Sequence, residues 1–226
     1  AALYRNERGV GRAVAASSID RSDLFITTKL WNSDQGYEST LVAIDKSLAK
    51  LGLDYVDLYL VHWPKPEHTK ETWRAMEEIR QSGKARAIGV SNFLPDHLDQ
   101  LAETATVLPS INQIEFHPHL QSPELVAYCE DHNIVLEAWS PLKAGRILDD
   151  PELRLLADAH GVTVPQVVLR WMLQRGIVTI PKSVTPLRIA RNADLYGFEL
   201  SHDEVAAINN MDRSDRVGPD PATFDF

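Results

Sequence analysis

Residues 56–64, VDLYLVHWP, contain the feature that most constrains how this chain can fold. The apolar centre of the segment is too short and too rich in β-forming residues for a helix. Its apolar stretch is continuous, which is typical of a strand buried on both faces of a parallel sheet. His62 follows directly at the point where this strand should end. The segment therefore predicts a buried strand with a reactive group at its carboxyl end.

Five other stretches repeat this pattern of an apolar run followed by hydrogen-bonding, charged or aromatic residues. Because these groups follow the same end of every run, parallel pairing of all six segments is the simplest arrangement. Amphipathic segments lie between the runs, and the 33 positions from Lys29 to His62 suit a strand–helix–strand unit. The other predicted strands are residues 24–31 (LFITTKLW), 85–93 (ARAIGVSNF), 111–118 (INQIEFHP), 135–142 (VLEAWSPL) and 177–183 (IVTIPKS).

The segments between the strands show helical periodicity. From Leu41 to Leu51 apolar residues recur three and four positions apart, and Gly52 follows as the expected stop. Ser122 is the expected cap of a later helix, and Ser201 that of the last one. The other helices are predicted around residues 73–79, 95–102, 151–160, 164–175, 186–195 and 202–211, with an irregular tail from about residue 213.

Alternation of strands and helices with a parallel sheet leaves an open sheet or a closed barrel. The glycine-rich dinucleotide fingerprint Gly-x-Gly-x-x-Gly follows none of the strands, which argues against the open sheet. Groups distributed over many strand ends favour an α/β fold of the (β/α)8 TIM barrel class. We predict a single domain over residues 1–226. A barrel of this class has eight strands and the sequence shows six, so we expect the first two strands to precede Ala1.

Charge and cysteine content exclude several classes of function. The net charge of −9 argues against general binding to nucleic acid, and the apolar runs are too short to span a membrane. The single cysteine, Cys129, cannot form an internal disulfide. These features suit a cytoplasmic protein.

Two strand-end residues are candidates for chemistry on their position alone. Lys29 interrupts an apolar run, and it could be a surface lysine, a Schiff-base nucleophile or a charged neighbour that perturbs another group. His62 occupies the equivalent place after the next strand. Tyr4 is a weaker candidate, because many tyrosines near the start of a helix only pack.

Seven ordered motifs of this chain resemble those of the aldo-keto reductases, and particularly of bacterial members similar to 2,5-diketo-D-gluconate reductase. The motifs are AALYRNERGVGRAV, TTKLW, LYLVHWP, GVSNF, NQIEFHP, EAWSPL and IPKSVTPLRIARN. The resemblance covers essentially the whole chain. It implies an (α/β)8 barrel that binds NADPH without a Rossmann domain and reduces a small aldehyde, ketone or keto-sugar.

The resemblance also implies a catalytic tetrad of Asp, Tyr, Lys and His. Three members map onto Tyr4, Lys29 and His62, as proton donor, modulator of that donor and orienting hydrogen-bond donor. The aspartate should lie five positions before Tyr4, which is upstream of Ala1. An ammonium ~4 Å from the phenol contributes ~4 kcal/mol at an effective dielectric of ~20, so we expect Lys29 to favour the tyrosinate.

The cofactor residues implied by the resemblance fall into two groups. Ser91, Asn92 and Gln113 would bind the nicotinamide carboxamide, and Trp139 would stack on its ring. The residues expected along the rest of NADPH are Ser140, Leu142, Lys182, Ser183, Arg188 and Asn192, with Lys182, Ser183 and Arg188 near the 2′-phosphate. Arg191 and Lys143 depart from the family pattern, which has a frequent glutamate and a glycine at these positions.

Aromatic residues would line the substrate site. Trp31 and Trp63 are the implied walls, with Phe224 as a possible third. His117 and His119 form an H-x-H pair, yet no acidic ligand set accompanies them, so we expect no metal. We expect a monomer that acts on a small carbonyl compound.

Two other functions stay open at this point. The same barrel could bind NADPH without catalysing a reaction, as regulatory and lens proteins of the family do. Alternatively, Lys29 could serve a Schiff-base aldolase.

Overall fold

The computed structural model describes residues 1–224, which form two compact units, Ala1–Asn112 and Gln113–Phe224. Both units contain parallel strands alternating with helices, as the predicted α/β class requires. Within the described residues, no helix combines the length and the apolar character needed to cross a membrane. The single domain over residues 1–226, the monomeric state and the cytoplasmic location stay predictions.

The first unit contains three full strands and four helices among its described residues. Its strands are β1 (Thr27–Leu30), β2 (Val56–Val61) and β3 (Ala85–Ser91). Its helices are α1 (Glu7–Ala15), α2 (Tyr37–Leu51), α3 (Thr69–Gln81) and α4 (Pro95–Ala102). β4 (Ile111–Glu115) begins at the end of this unit.

Strand β2 is central to the first unit and pairs in parallel with β1 on one side and β3 on the other. All six of its residues are buried, which explains the continuous apolar run of its last four, residues 58–61. Lys29 lies opposite Leu60 in the register, two positions before His62. The carboxyl ends of β1 and β2 therefore bring these two side chains to the same edge.

The second unit contains β5 (Val135–Trp139) and β6 (Val178–Thr179), which pair in parallel. Its helices are α5 (Pro123–Asp131), α6 (Pro151–His160), α7 (Val164–Gln174), α8 (Pro186–Ala193) and α9 (His202–Asn209). Trp171, Leu169 and Met172 of α7 are fully buried and form part of the core of this unit.

Every predicted strand and helix forms, but strands β1, β3, β4 and β5 are two to four residues shorter than predicted, and three further differences occur. Strand β6 has two residues where seven were predicted, in part because Pro181 has no backbone N–H for a ladder. Helices α8 and α9 end two residues before their predicted ends. Ser122 precedes α5 but its side chain caps nothing, since its φ of 44° lies in the left-handed region. Gly52 and Ser201 terminate and cap their helices as predicted.

Close packing of α1 against α2 depends on Gly11. A Cβ at this position would lie 2.7 Å from the backbone carbonyl carbon of Leu51, which cannot move aside as a side chain could. We expect Gly11→Ala to lower the free energy of unfolding by about 1–3 kcal/mol, measured by urea denaturation. Gly9→Ala on the same helix is the control, because its Cβ would meet only an Arg12 side-chain nitrogen at 3.8 Å. Equal stability of the two variants would contradict this packing.

Candidate active site and cofactor cavity

Three side chains of the first unit converge around the hydroxyl of Tyr4. Tyr4 ends a short 3-10 turn before α1, Lys29 lies in β1, and His62 follows β2. The Tyr4 hydroxyl lies 3.4 Å from Lys29 Nζ and 3.4 Å from His62 Nε2. These distances are long for hydrogen bonds, as is common for catalytic groups before substrate binds. The structure thus brings together the three predicted tetrad residues that this sequence contains.

His62 is neutral in this environment. Burial and the nearby Lys29 ammonium lower the pKa of His62 to about 3. Its Nδ1 is buried without a hydrogen-bond partner among the described residues, whereas Nε2 faces the Tyr4 hydroxyl. A proton on Nε2 therefore lets the imidazole donate a hydrogen bond at the site. A neutral donor of this kind can orient a carbonyl oxygen.

The low pKa of His62 leads to a testable pH dependence. Because the neutral form is favoured on folding, His62 contributes stability that is fully present above about pH 6.5 and is lost as the pH falls toward 3. We expect the NMR signals of the His62 ring to stay unchanged between about pH 5 and pH 8, the range in which an unperturbed histidine titrates. A His62 midpoint near 6.5 would contradict the neutral assignment.

The pKa of Tyr4 shifts in the direction opposite to the one expected from Lys29. Partial burial raises the pKa of the phenol above its ordinary value. Since 54% of Tyr4 stays exposed, solvent screens this shift. The consequence is that Tyr4 keeps its proton near neutral pH, as a proton donor must. The influence of the Lys29 ammonium, 3.4 Å from the phenol, on the acidity of Tyr4 stays a prediction.

The two predicted substrate tryptophans differ in their surroundings. The Trp31 ring meets His62 edge to face, with 5.2 Å between the ring centroids. Trp63 is only 7% exposed, and its backbone carbonyl accepts a hydrogen bond of 2.8 Å from Gln35 Nε2. Trp31 thus lies beside the Tyr4–His62 pair, and a substrate role for both tryptophans stays a prediction.

Ser91 and Asn92 lie buried where β3 ends in the first unit. The Asn92 amide nitrogen donates to the backbone carbonyl of His62 at 3.0 Å and to Ser91 Oγ at 3.1 Å. Asn92 adopts a left-handed φ of 64°, which its short polar side chain tolerates. Asn92 therefore fixes the backbone that carries His62, a role that differs from the predicted nicotinamide contact and does not exclude it.

In the second unit, Gln113 and Trp139 lie on β4 and β5. Gln113 Nε2 donates to the buried Glu137 carboxylate at 2.6 Å. Gly218 of the C-terminal tail packs against the Trp139 indole so closely that a Cβ would overlap the ring. The Glu115 carboxylate accepts the backbone N–H groups of Val217 at 2.6 Å and Gly218 at 3.0 Å. These bonds hold the tail against Trp139.

A cavity of about 680 Å³ lies in the second unit. Three of the lining residues are cationic, namely Lys182, Arg188 and Arg191. Within the described chain, no residue of the lining carries a carboxylate. Arg188 and Arg191 are three positions apart on α8, so they share one helix face. A cavity with this charge suits a phosphorylated ligand. The cavity brings together six predicted cofactor residues: Ser140, Leu142, Lys182, Ser183, Arg188 and Asn192.

The H-x-H pair makes contacts that do not require a metal. His117 Nε2 lies 3.1 Å from Glu115 Oε1, and both side chains are fully buried. His119 Nε2 lies 3.1 Å from Asp150 Oδ2. Glu115 therefore binds both His117 and the tail backbone.

Two buried carboxylates that support predicted site residues, Glu7 and Glu137, were not singled out from the sequence. Glu7 of α1 accepts a 2.7 Å hydrogen bond from Thr28, the residue before Lys29, and lies 3.5 Å from Lys50. It thereby links the helix after Tyr4 to the strand of Lys29. Glu137 binds Gln113. The only sequence signal for Glu137 was an acidic residue inside an apolar strand.

Comparison with known proteins identifies the family. The sequence model described as the Aldo/keto reductase family matches residues 1–213. The glyoxal reductase of Bacillus subtilis (strain 168) is 52% identical over 221 residues, which are 98% of this chain and 80% of the relative. The methylglyoxal reductase DkgA of Escherichia coli (strain K12) is 48% identical over 228 residues, 99% of this chain and 82% of the relative.

Solved structures similar to this chain in sequence and fold point to the same family. MGS-M4, an aldo-keto reductase enzyme from a Medee basin deep-sea metagenome library, is 44% identical with a TM-score of 0.97, over 99% of this chain and 84% of that one. A mutant of Gox0644 in complex with NADPH is 47% identical with a TM-score of 0.94, over 99% and 82% of the two chains. The predicted fold class is confirmed. The chain belongs to the aldo-keto reductase family of oxidoreductases.

Proposed function

We propose that this protein reduces a small aldehyde, ketone or keto-sugar to the alcohol, with NADPH as the cofactor and Tyr4 as the proton donor. The observation that carries the proposal is the Tyr4 hydroxyl, which lies 3.4 Å from both Lys29 Nζ and His62 Nε2. NADPH is the ligand of several solved relatives, and the cationic cavity of the second unit suits its phosphates.

The hydrogen-bonding capacity of the three groups defines what each can do. Lys29 has only donors, and neutral His62 with its proton on Nε2 also donates. The Tyr4 oxygen can accept from Lys29, which leaves its own hydrogen free for a substrate oxygen. The single Nε2 proton of His62 would donate to that same substrate oxygen and orient it. NADPH, when bound, supplies the hydride to the carbonyl carbon. Tyr4 then transfers its proton to the carbonyl oxygen, while Lys29 stabilises the phenolate that remains.

The cavity residues supply the binding part of the proposal. Lys182 and Arg188 carry the charges that a 2′-phosphate requires, and Ser183 adds a hydroxyl beside them. Asn192 lines the same cavity, which supports its proposed contact with the adenine. Such charge-assisted bonds favour NADPH over NADH.

An NADPH-oxidation assay tests the proposal. Glyoxal and methylglyoxal are the first substrates to use, because two relatives carry their names, and a keto-sugar and a simple ketone complete the panel. We expect loss of absorbance at about 340 nm with at least one of them. Binding of NADPH without turnover on any of the four would favour a non-catalytic barrel. Borohydride trapping of a substrate on Lys29 would instead indicate an aldolase and contradict the proposal.

A further inference from the structure

Lys143 is a buried ammonium with an unusual position. Its side chain lies in the loop after β5 and is only 5% exposed as a residue. Leu142 and Ala144 on either side of it line the cationic cavity, as do Gly145 and Leu148 further along the loop. Lys143 itself adopts a left-handed φ of 50°. A buried lysine in this backbone conformation costs free energy, so its partners must stabilise it.

Those partners come from the loop after β4 and from the C-terminal tail. Lys143 Nζ forms an ion pair with the Asp215 carboxylate and lies 3.0 Å from His119 Nδ1. The backbone carbonyl of His119 accepts the N–H groups of Arg213 at 3.2 Å and Asp215 at 3.0 Å. We name this group the anchor cluster, and its members are His119, Lys143, Asp150, Arg213 and Asp215.

The geometry of His119 fits this arrangement. Lys143 can donate only to an unprotonated Nδ1, which leaves the His119 proton on Nε2. That nitrogen lies 3.1 Å from the Asp150 carboxylate, which accepts its hydrogen. Burial and the Lys143 and Arg213 cations lower the pKa of His119, which keeps the ring neutral. Arg213 Nη2 lies 3.0 Å from the same Nε2, so this nitrogen has the Asp150 acceptor on one side and the Arg213 cation on the other.

The anchor cluster fixes one end of tail residues 213–218, and Glu115 fixes the other. Val217 and Gly218 donate to the Glu115 carboxylate, and Gly218 contacts the Trp139 indole. Lys143 is therefore the side chain that joins this tail to the loop of residues 140–148. That loop forms one wall of the cavity, so the Lys143–Asp215 ion pair connects the tail to this wall, and the Arg213–Asp150 ion pair connects the tail to the segment just after it.

We propose that Lys143 is a positioning residue for the cofactor, which holds the 140–148 wall of the cavity in its binding arrangement by tying it to tail residues 213–218. The inference rests on the proposed use of NADPH. A preorganised wall avoids an ordering cost on binding, so loss of the tie lowers affinity without changing proton transfer at Tyr4.

Two variants each remove one partner of the Lys143–Asp215 ion pair. Lys143→Met removes the charge and keeps the apolar stem, and Asp215→Asn removes the carboxylate, whose side chain is 54% exposed. Should Lys143→Met fail to fold, Asp215→Asn decides alone, because its altered group is largely in solvent. Arg154→Met is the matched control, since it removes a cation from an exposed ion pair outside the anchor cluster.

The first readout is hydrogen exchange in the protein without cofactor. We expect the amides of Arg213 and Asp215 to exchange about ten-fold faster in both cluster variants than in wild type and in Arg154→Met. The second readout is NADPH affinity from fluorescence titration, with an expected loss of about ten-fold in both variants. The double variant should lose no more affinity than either single one, because the two changes break one contact.

The outcomes separate this inference from the proposed function. A wild-type protein that binds no NADPH contradicts the proposed function and this inference together. A wild-type protein that binds NADPH, with variant affinities within about two-fold of it, overturns the role of Lys143 alone. Unchanged exchange at Arg213 and Asp215 also overturns it, because the tie would then not hold the tail.

Discussion

Tyr4→Phe should reduce turnover by a factor of about 10²–10⁴ while NADPH affinity stays within about two-fold of wild type. The substitution removes one hydroxyl, which lies 3.4 Å from both Lys29 Nζ and His62 Nε2. Because Tyr4 is 54% exposed, its loss removes no core packing and the fold should survive. Stopped-flow measurement of NADPH oxidation gives the rate, and fluorescence titration gives the affinity.

Tyr196→Phe is the control for this experiment. Tyr196 is 80% exposed and lies in the second unit, far along the chain from the three converging side chains. It should leave both rate and affinity unchanged. Wild-type turnover in Tyr4→Phe would remove Tyr4 as the proton donor, and loss of NADPH binding in that variant would assign Tyr4 to the cofactor site instead.

Arg188→Ala should weaken NADPH binding by about 10- to 100-fold and NADH binding far less. A charge-assisted hydrogen bond contributes roughly 1.5–3 kcal/mol, and only NADPH carries the 2′-phosphate that would accept it. Arg188 lines the cavity and is exposed, so its removal leaves no buried charge unpaired. Equal weakening of NADPH and NADH would contradict the assignment of Arg188 to the 2′-phosphate.

The reference variant for Arg188 is Arg154→Ala. It removes an arginine from the same unit with the same change of net charge, outside the lining of the cavity. Any general effect of charge on the dinucleotide should appear in both variants. The ratio of NADPH to NADH affinity should change only in Arg188→Ala.

The positions of the strand-end residues could be predicted from the sequence because local pattern determines them. A continuous apolar run predicts a buried parallel strand, and the residue after such a run lies at its carboxyl end. Lys29 and His62 therefore share an edge of the sheet. The placement of Tyr4 against them came from the family resemblance, since neither periodicity nor composition brings Tyr4 to His62.

Features that depend on tertiary burial could not be predicted. Burial raises the pKa of Tyr4, and the extent of that burial depends on how the first residues pack in three dimensions. Lys143 was noted only as a departure from the family, and its pairing with Asp215 joins positions 72 apart in the chain. The two-residue length of β6 also depends on its neighbours, because β-propensity alone allowed a longer strand.

The central claim is that Tyr4, with Lys29 and His62 beside it, protonates a carbonyl oxygen while NADPH reduces the carbonyl carbon. Its most direct test is deuterium transfer from NADPH labelled at the reactive nicotinamide position to a small aldehyde, with mass spectrometry of the alcohol. The account predicts one deuterium on the carbinol carbon with the wild-type protein and a negligible amount of labelled product with Tyr4→Phe. Alcohol without deuterium from the wild-type protein, or labelled alcohol at the wild-type rate from Tyr4→Phe, would contradict it.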